Sequence, residues 1–250
     1  MVQKLRVCVL LLGVFLLIPN TVQADWNENF DSYAAGNVNG NGPWVDWGGS
    51  LPPLVTTDQA NSNPHSLGLS ANPAGAGSAY GTDVYATSMN PGGLLTSGQW
   101  NLSYQLYIQS NMTGRAEMYL SQFLMDGTAA GFSRGLWLVA NDGGSGVMDV
   151  RERTAAATPA LVLDAWTPVE LAINLDANTL VAKYNGTTVF SGPWDDVAQG
   201  PSIGGLNFWA DGAEGNGGTY YVDDFVLVPE PASLALLGLG GLMILRRKRN

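Results

Sequence analysis

Alternation of apolar and polar residues runs through most of this chain, and no segment keeps a helical period. Residues 100–108 place an apolar side chain at every second position, which is the period of a half-buried strand. Residues 166–175 alternate in the same way. Asn185-Gly186 separates two β-rich runs, which predicts a hairpin with a type I′ turn. With 32 Gly and 13 Pro in 250 residues, we expect many short strands joined by tight turns.

The fold class predicted from this pattern is all-β, as one two-sheet antiparallel jelly-roll sandwich over residues 25–228. The remaining strand-like runs are residues 66–70, 79–85, 115–124, 132–140, 146–153, 203–210 and 220–227. The longest loop-like stretches are residues 37–53 and 61–77. In a jelly roll we expect such loops at one end or beside the concave face, where ligands bind.

Composition excludes several classes of function. The chain carries 11 Lys+Arg against 21 Asp+Glu, a net charge of −10, whereas nucleic-acid binding needs a basic face. One His and one Cys leave no Cys/His zinc site, no disulfide framework and no iron–sulfur cluster. They also leave little scope for Ser-His-Asp or Cys-His catalysis.

The first 24 residues have the organisation of a secretory signal peptide. Lys4 and Arg6 precede an apolar run over residues 7–18, and Ala24 supplies a small residue for cleavage. A retained membrane anchor is the alternative, but the run of 12 residues is short of the ~20 that a spanning helix needs. Cys8, the only cysteine, lies in this signal helix rather than at the cleavage point, so the chain is not a lipoprotein.

The last 22 residues form a three-part ending. Pro229-Glu230-Pro231 is followed by an apolar segment over residues 232–245 and then by Arg246, Arg247, Lys248 and Arg249. As a helix those 14 apolar residues would cover ~21 Å, a short transmembrane helix in a ~30 Å hydrocarbon layer. The basic cluster predicts that this end stays in the cytoplasm.

This ending resembles the PEP-CTERM sorting signal of Gram-negative bacteria. The resemblance implies transport across the inner membrane, transient anchoring, and processing near Pro229-Glu230-Pro231 by an exosortase. The protein would then reach the cell surface or the exterior, in organisms that often make extracellular polysaccharide. An ordinary C-terminal anchor is the alternative.

Residues 25–228 resemble the LamG-like, concanavalin A-like jelly-roll domains. The matching motifs lie at residues 28–36, 42–44, 166–170, 184–186 and 221–225. The fold hosts lectins, glycosidases, lyases and adhesion modules, so the resemblance leaves activity open. This segment keeps five of the basic residues and 20 of the acidic ones, a net charge near −15 that favours solubility and attracts divalent cations.

A structural calcium site is the first candidate site. In carbohydrate-binding jelly rolls the first and last strands pair and an acidic residue from each holds Ca²⁺. The corresponding carboxylates here are Glu28 and Asp31 near the first strand, and Asp223 and Asp224 on the last. Only one of Asp223 and Asp224 can point inward, because neighbouring residues of a strand face opposite sides. The alternative is that both lie at the strand end or on the surface.

Sugar binding by loop tryptophans is the second candidate. Trp44 and Trp47 flank Asp46 in a Gly-rich loop, and Trp194 precedes Asp195. An aromatic ring packs on the apolar face of a pyranose while carboxylates bind its hydroxyls. The alternative is that these rings close the end of the sandwich. Four further tryptophans lie in strand-like runs, where we expect them in the core: Trp100, Trp137, Trp166 and Trp209.

Glycoside hydrolysis is the third candidate, and it needs two carboxylates flanking a bond. The nearest match to a Glu-x-Asp-x-x-Glu strand, residues 148–153, lacks the first Glu. The leading interpretation is therefore a non-catalytic, exported surface or matrix protein that binds glycan or exopolysaccharide. A purely structural surface or biofilm protein is the alternative, and a hydrolase or lyase comes third.

Overall fold

The computed structural model describes residues 26–47, 51–71, 81–90, 92–125, 134–194, 200–211 and 217–230. The predicted signal peptide and the apolar and basic parts of the predicted C-terminal signal lie outside these ranges. Within the described ranges, no helix has the length and apolar character needed to cross a membrane.

The described chain is all-β, as predicted, and forms two antiparallel sheets. The larger sheet contains β1 (Trp26–Glu28), β2 (Gly36–Asn37), β4 (Leu54–Thr56), β5 (Ser66–Ser70), β7 (Gln99–Ile108), β11 (Trp166–Asn174), β12 (Thr179–Tyr184), β13 (Thr187–Pro193) and β15 (Thr219–Pro229). The smaller sheet contains β3 (Trp44–Asp46), β6 (Asp83–Ala86), β8 (Arg115–Ser121), β9 (Arg134–Ala140), β10 (Met148–Val150) and β14 (Leu206–Asp211).

The predicted strands agree with most of these elements, and the Asn185-Gly186 hairpin is confirmed. Both turn residues have positive φ, +47° and +73°, as a type I′ turn requires. The stretch 37–53 was predicted as a loop, but it contains β3 at the edge of the smaller sheet. A strand of three residues is too short to show alternation, so its position depends on pairing with β6.

Strand β15 organises the larger sheet. It pairs with β7 along one side, and with β5 and then β1 along the other. The order across the sheet is β13-β12-β11-β7-β15-β5-β4-β2, with β1 continuing the β5 side of β15. Register shifts between Asp223 and Val226, where Asp224 has a φ of +51°. This bulge lies between the segments that pair with β5 and β1.

The predicted pairing of the first and last strands is confirmed. Trp26 faces Leu227 and Glu28 faces Phe225 in antiparallel register. The start of β1 and the end of β15 therefore lie at the same end of the sandwich. The described domain therefore begins and ends at the same end of the sandwich.

The core lies between the inner faces of the two sheets. Its largest fully buried side chains include Trp44, Trp194, Tyr184 and Phe225. Trp44 packs against Phe30 and Phe225, with ring centroids 5.5 and 6.0 Å apart. This aromatic cluster closes the sandwich beside the β1–β15 pair.

We expect Trp44→Ala to lower the free energy of unfolding by about 3–5 kcal/mol, because it leaves a large cavity among buried rings. Leu163→Ala is the control, since Leu163 is 46% exposed and should change stability by no more than about 0.5 kcal/mol. Urea denaturation measures both. Equal losses in the two variants would contradict the position of Trp44 in the core.

Candidate functional site

The candidate site lies on the outer face of the smaller sheet, which points away from the core. Alternation along β8 sends Met118 and Leu120 into the core and leaves Glu117 and Tyr119 on the other side. Strand β14 behaves alike, with Phe208 in the core and Trp209 half-buried outside. The outer face thus carries large aromatic and charged side chains.

Register places these side chains in two rows across the strands. The first row is Glu117, Trp209 and Asp83. The second row is Trp137, Tyr119, Asn207 and Tyr85. Neighbouring strands are ~4.8 Å apart, so Glu117 and Asp83 have Cα atoms ~9.6 Å apart with Trp209 between them. We name these seven residues, with Arg115 and Arg151, the outer-face site.

Glu117 is the buried anchor of the outer-face site, with 1% of its surface exposed. Its Oε2 accepts hydrogen bonds from the Tyr119 hydroxyl and from Trp137 Nε1, the latter at 2.9 Å. Arg115 Nε lies 3.1 Å from Oε1, an ion pair without hydrogen-bond alignment. One buried carboxylate therefore orients a phenol, an indole and a guanidinium together.

Two arginines extend this network over the sheet. Arg115 contacts Asp211 and lies 3.3 Å from Asp142, which in turn bonds Arg151 at 2.5 Å. The hydrogen bond from Arg151 lowers the pKa of Asp142, and the charges of Arg151 and Arg115 lower it further, against a smaller opposing effect of burial. Each guanidinium is therefore neutralised by carboxylates.

The same guanidiniums lie over the tryptophans. Arg151 Cζ is 5.1 Å from the centroid of the Trp137 ring, and Arg115 Cζ is 6.0 Å from that of Trp209. Trp137 also contacts Tyr119, with centroids 4.6 Å apart. These contacts are in the range of cation–π and aromatic pairs. These contacts hold the two indoles in fixed positions on the outer face.

Asp83 is the half-buried carboxylate of the outer-face site. Asn207 Nδ2 donates to its Oδ1 at 2.5 Å. Burial raises the pKa of Asp83 to about 7; the Asn207 hydrogen bond lowers it and the charge of Glu117 raises it. Such a group changes charge near neutral pH.

The prediction that Trp44 and Trp194 are exposed sugar-binding residues is wrong, because both are 0% exposed. Trp44 Nε1 donates to Glu28 at 3.3 Å, and Trp194 Nε1 donates to the Ser202 carbonyl at 3.0 Å. The indole of Trp194 covers Gly135, where a Cβ would lie 2.1 Å from the ring. Both rings fill the sandwich, as the alternative interpretation expected.

Trp47 and Asp46 are half-buried at the β3 edge of the smaller sheet. Trp47 packs edge-on against Tyr85, with centroids 5.6 Å apart. Its backbone N–H donates to the Asp83 carbonyl at 3.2 Å, so it adjoins the outer-face site. Asp195, the remaining predicted ligand residue, lies outside the described residues.

Sequence reasoning missed most of the outer-face site. Trp137, Trp166 and Trp209 were predicted in the core but are half-buried on outer faces; Trp100 is buried as expected. In β9 apolar residues fill both parities, so periodicity does not say which side of that strand faces the core, whereas β8 and β14 do alternate. The usable signal was Arg115-x-Glu117-x-Tyr119, three polar or amphipathic residues on one side of a strand.

The predicted calcium residues lie around the β1–β15 corner, and each accepts hydrogen bonds from the protein. Glu28 accepts from Phe30 N at 2.9 Å and from the Tyr33 hydroxyl at 2.5 Å. Asp31 accepts from His65 N at 3.0 Å. This first pair of carboxylates therefore fixes the chain that follows β1.

Asp223 and Asp224 occupy the bulge, and Asp223 is the buried one at 0% exposed. It accepts from the backbone N–H groups of Asn61 and Ser62 at 2.8 and 3.0 Å, while Asp224 accepts from Asn61 Nδ2 at 2.6 Å. Among the described residues, no group of three or more His, Cys, Asp or Glu is placed to hold a metal ion. Calcium therefore stays a prediction.

A family model identifies the C-terminal end. Residues 227–249 match the PEP-CTERM protein-sorting motif. This motif indicates export to the cell surface or exterior through the exosortase system. The match begins within β15, which ends at Pro229, and Glu230 follows directly. Pro231 and the cluster Arg246, Arg247, Lys248 and Arg249 are outside the described residues. No curated protein matches the chain.

Solved structures share the jelly-roll fold at low sequence identity. A sialidase matches 83% of this chain with a TM-score of 0.56 and 13% identity, although this chain spans only 19% of that protein. Cellulose induced protein Cip1 matches 80% of this chain and 95% of its own, with a TM-score of 0.55 and 16% identity. The Emp47p carbohydrate recognition domain matches 82% and 95%, with a TM-score of 0.52 and 8% identity. These likenesses show the fold alone.

The raised pKa of Asp83 predicts a pH-dependent stability. The native state retains the Asp83 proton up to about pH 7, whereas the unfolded chain releases it near pH 4. The free energy of unfolding therefore falls as pH rises between these values. Asp223, whose pKa burial also raises to about 7, contributes in the same window.

We expect Asp83→Asn, which keeps an oxygen for Asn207, to reduce the loss of stability between pH 5 and pH 8. Urea denaturation at the two pH values measures this. Glu170→Gln is the control, an exposed carboxyl on the larger sheet that should leave the wild-type difference unchanged. If Asp83→Asn loses as much stability between the two pH values as the wild type does, the raised pKa of Asp83 is contradicted.

Proposed function

We propose that this protein is an exported, non-catalytic carbohydrate-binding protein of the cell surface or extracellular matrix. It would cross the inner membrane of a Gram-negative bacterium, be anchored transiently by its C-terminal signal, and be processed by an exosortase. The outer-face site is the observation that carries the binding proposal. The sorting motif at residues 227–249 supports the route.

The composition of the outer-face site favours a carbohydrate. The solvent face of an antiparallel sheet is ordinarily polar. Here half-buried Trp137 and Trp209 accompany Asp83, Arg115 and Arg151. Amphipathic rings beside hydrogen-bonding groups suit the apolar and hydroxyl faces of a sugar.

Rigidity of the site supports binding. Glu117 and the two arginines lock the aromatic side chains by ion pairs and ring contacts. A ligand would therefore meet side chains that are already ordered, which reduces the entropic cost of association.

The charge distribution of the domain favours binding of a neutral glycan over an anionic one. The arginines are paired with Glu117, Asp142 and Asp211, so no uncompensated cation is offered to a uronate or sulfate by this network. The surrounding domain is strongly acidic and repels polyanions.

Hydrolysis is the less favoured function, although Asp83 and Glu117 face each other across Trp209. Two catalytic carboxylates must both reach the glycosidic bond. The Glu117 side chain is 0% exposed and engaged by Tyr119, Trp137 and Arg115. Its role is to position the other groups of the outer-face site.

We expect Trp209→Ala and Trp137→Ala to weaken binding of a neutral polysaccharide about tenfold each, equivalent to about 1.4 kcal/mol. Affinity electrophoresis against laminarin, hydroxyethyl cellulose and galactomannan, with alginate as the anionic probe, measures this. Trp166→Ala is the matched control, a half-buried tryptophan on the opposite sheet. Absence of binding by the wild type, or an equal loss in Trp166→Ala, would favour the purely structural alternative.

The sorting route has its own test. Replacing Arg246, Arg247, Lys248 and Arg249 by alanine removes the charges that hold this end in the cytoplasm. We expect the variant to accumulate unprocessed in a host with an exosortase, as seen by immunoblotting of cell fractions. Lys183→Ala, which removes an exposed charge from the folded domain, is the control and should be processed like the wild type. Normal processing of the tail variant would contradict the proposed route.

A further inference from the structure

The sorting motif begins inside the folded domain. Strand β15 runs to Pro229, which faces Trp100, and Val228 faces Asn101. The backbone N–H of Glu230 donates to the Gln99 carbonyl at 2.8 Å. Pro229 is thus part of the β7–β15 ladder, and Glu230 is hydrogen-bonded to β7 directly after it.

The same end of β15 is held from its other side. Leu227 pairs with Trp26 of β1, and Phe225 pairs with Glu28. Leu227 and Phe225 are 1% and 0% exposed. Among the described residues, the last buried one therefore precedes Pro229 by only two positions, so no spacer separates this part of the core from the Pro229-Glu230-Pro231 motif.

A processing enzyme must take its substrate as an accessible, extended chain. A segment added to an enzyme cleft forms backbone hydrogen bonds there, whereas the Glu230 N–H already donates to Gln99, and Val228 and Pro229 lie in register with Asn101 and Trp100. Ends of strands open locally at a lower free energy than the whole domain. Access to the motif therefore requires this end of β15 to separate from β7.

We propose that the sandwich competes with the exosortase for residues 228–230, so that pairing of the last strand limits processing. This inference rests on the proposed processing by an exosortase. The rate of processing is the rate for the open chain multiplied by the fraction of molecules in which the strand end is open. A fully folded domain would be processed slowly, and a chain that has not completed β15 would be processed fast.

A reversible lock on the strand end tests the proposal in the full-length chain. Asn101→Cys with Val228→Cys places two cysteines directly opposite each other, with Cα atoms ~5 Å apart in an antiparallel pair, within the range for a disulfide. The only native cysteine is Cys8, in the predicted signal peptide. We expect the oxidised variant to lose processing and dithiothreitol to restore it, in pulse-chase experiments in a host with an exosortase.

A second cysteine pair is the matched control. Glu170 and Lys183 face each other on β11 and β12, and both are exposed. A disulfide there leaves the end of β15 free, so Glu170→Cys with Lys183→Cys should be processed at the wild-type rate. Mass spectrometry verifies oxidation of both pairs.

A spacer tests the opposite direction. About eight Gly/Ser residues inserted between Val228 and Pro229 form a flexible link that frees the motif while the sandwich stays folded. We expect processing to accelerate several-fold. The same spacer between Asn185 and Gly186, at the exposed hairpin turn, should leave the rate unchanged.

Each outcome decides between the two proposals. Wild-type processing of the oxidised lock, or no acceleration by the spacer, overturns the competition while leaving the sorting route intact. If the spacer variant is processed and the wild type is not, pairing of β15 blocks processing completely, which supports the competition. If neither the wild type nor the spacer variant is processed while a native substrate of the host is, the proposed route fails and the competition fails with it.

Discussion

The fold depends on the insertion of β15 into the larger sheet. This strand is the last of the described chain, yet it bonds with β7 on one side and with β5 and β1 on the other. The larger sheet is therefore incomplete until nearly the whole domain has been synthesised and exported. Contacts between the two ends of the chain make a topology of high contact order, which forms slowly. Late completion of β15 would leave residues 228–230 open early and closed afterwards.

The bulge in β15 lies where the strand changes its pairing partner and where a loop contacts the middle of the strand. Asp223 is buried there because the sheet changes partner from β5 to β1, and the gap is filled by the backbone of residues 61–62. A buried carboxylate needs donors, and these backbone N–H groups supply them. The acidic corner thus has a structural explanation that holds with or without a bound cation.

The outer face of the smaller sheet also contains a buried carboxylate, which is stabilised by different partners. Glu117 is buried by its neighbours on the sheet, and its carboxylate is balanced by Arg115 and by the polar edges of Tyr119 and Trp137. Breaking such a buried pair by removing one partner costs about 3–5 kcal/mol. The network fixes the positions of these side chains on the sheet. The sorting motif and this ordered aromatic surface are the two features on which the proposed carbohydrate binding rests.

The sequence by itself determined the two-sheet all-β class, the hairpin at Asn185-Gly186 and the sorting motif. These features depend on local signals: the period of two, the positive φ of a type I′ turn, and a contiguous motif. Only the tertiary structure decided which tryptophans are buried and which carboxylates meet. Trp44 and Trp194 sit in turn-rich sequence yet fill the core, whereas Trp137 and Trp209 sit in strands yet face outward. A strand has two faces and a loop can fold over either end of the sandwich, so burial depends on the packing of the sheets, and this is decided by residues far apart in the chain.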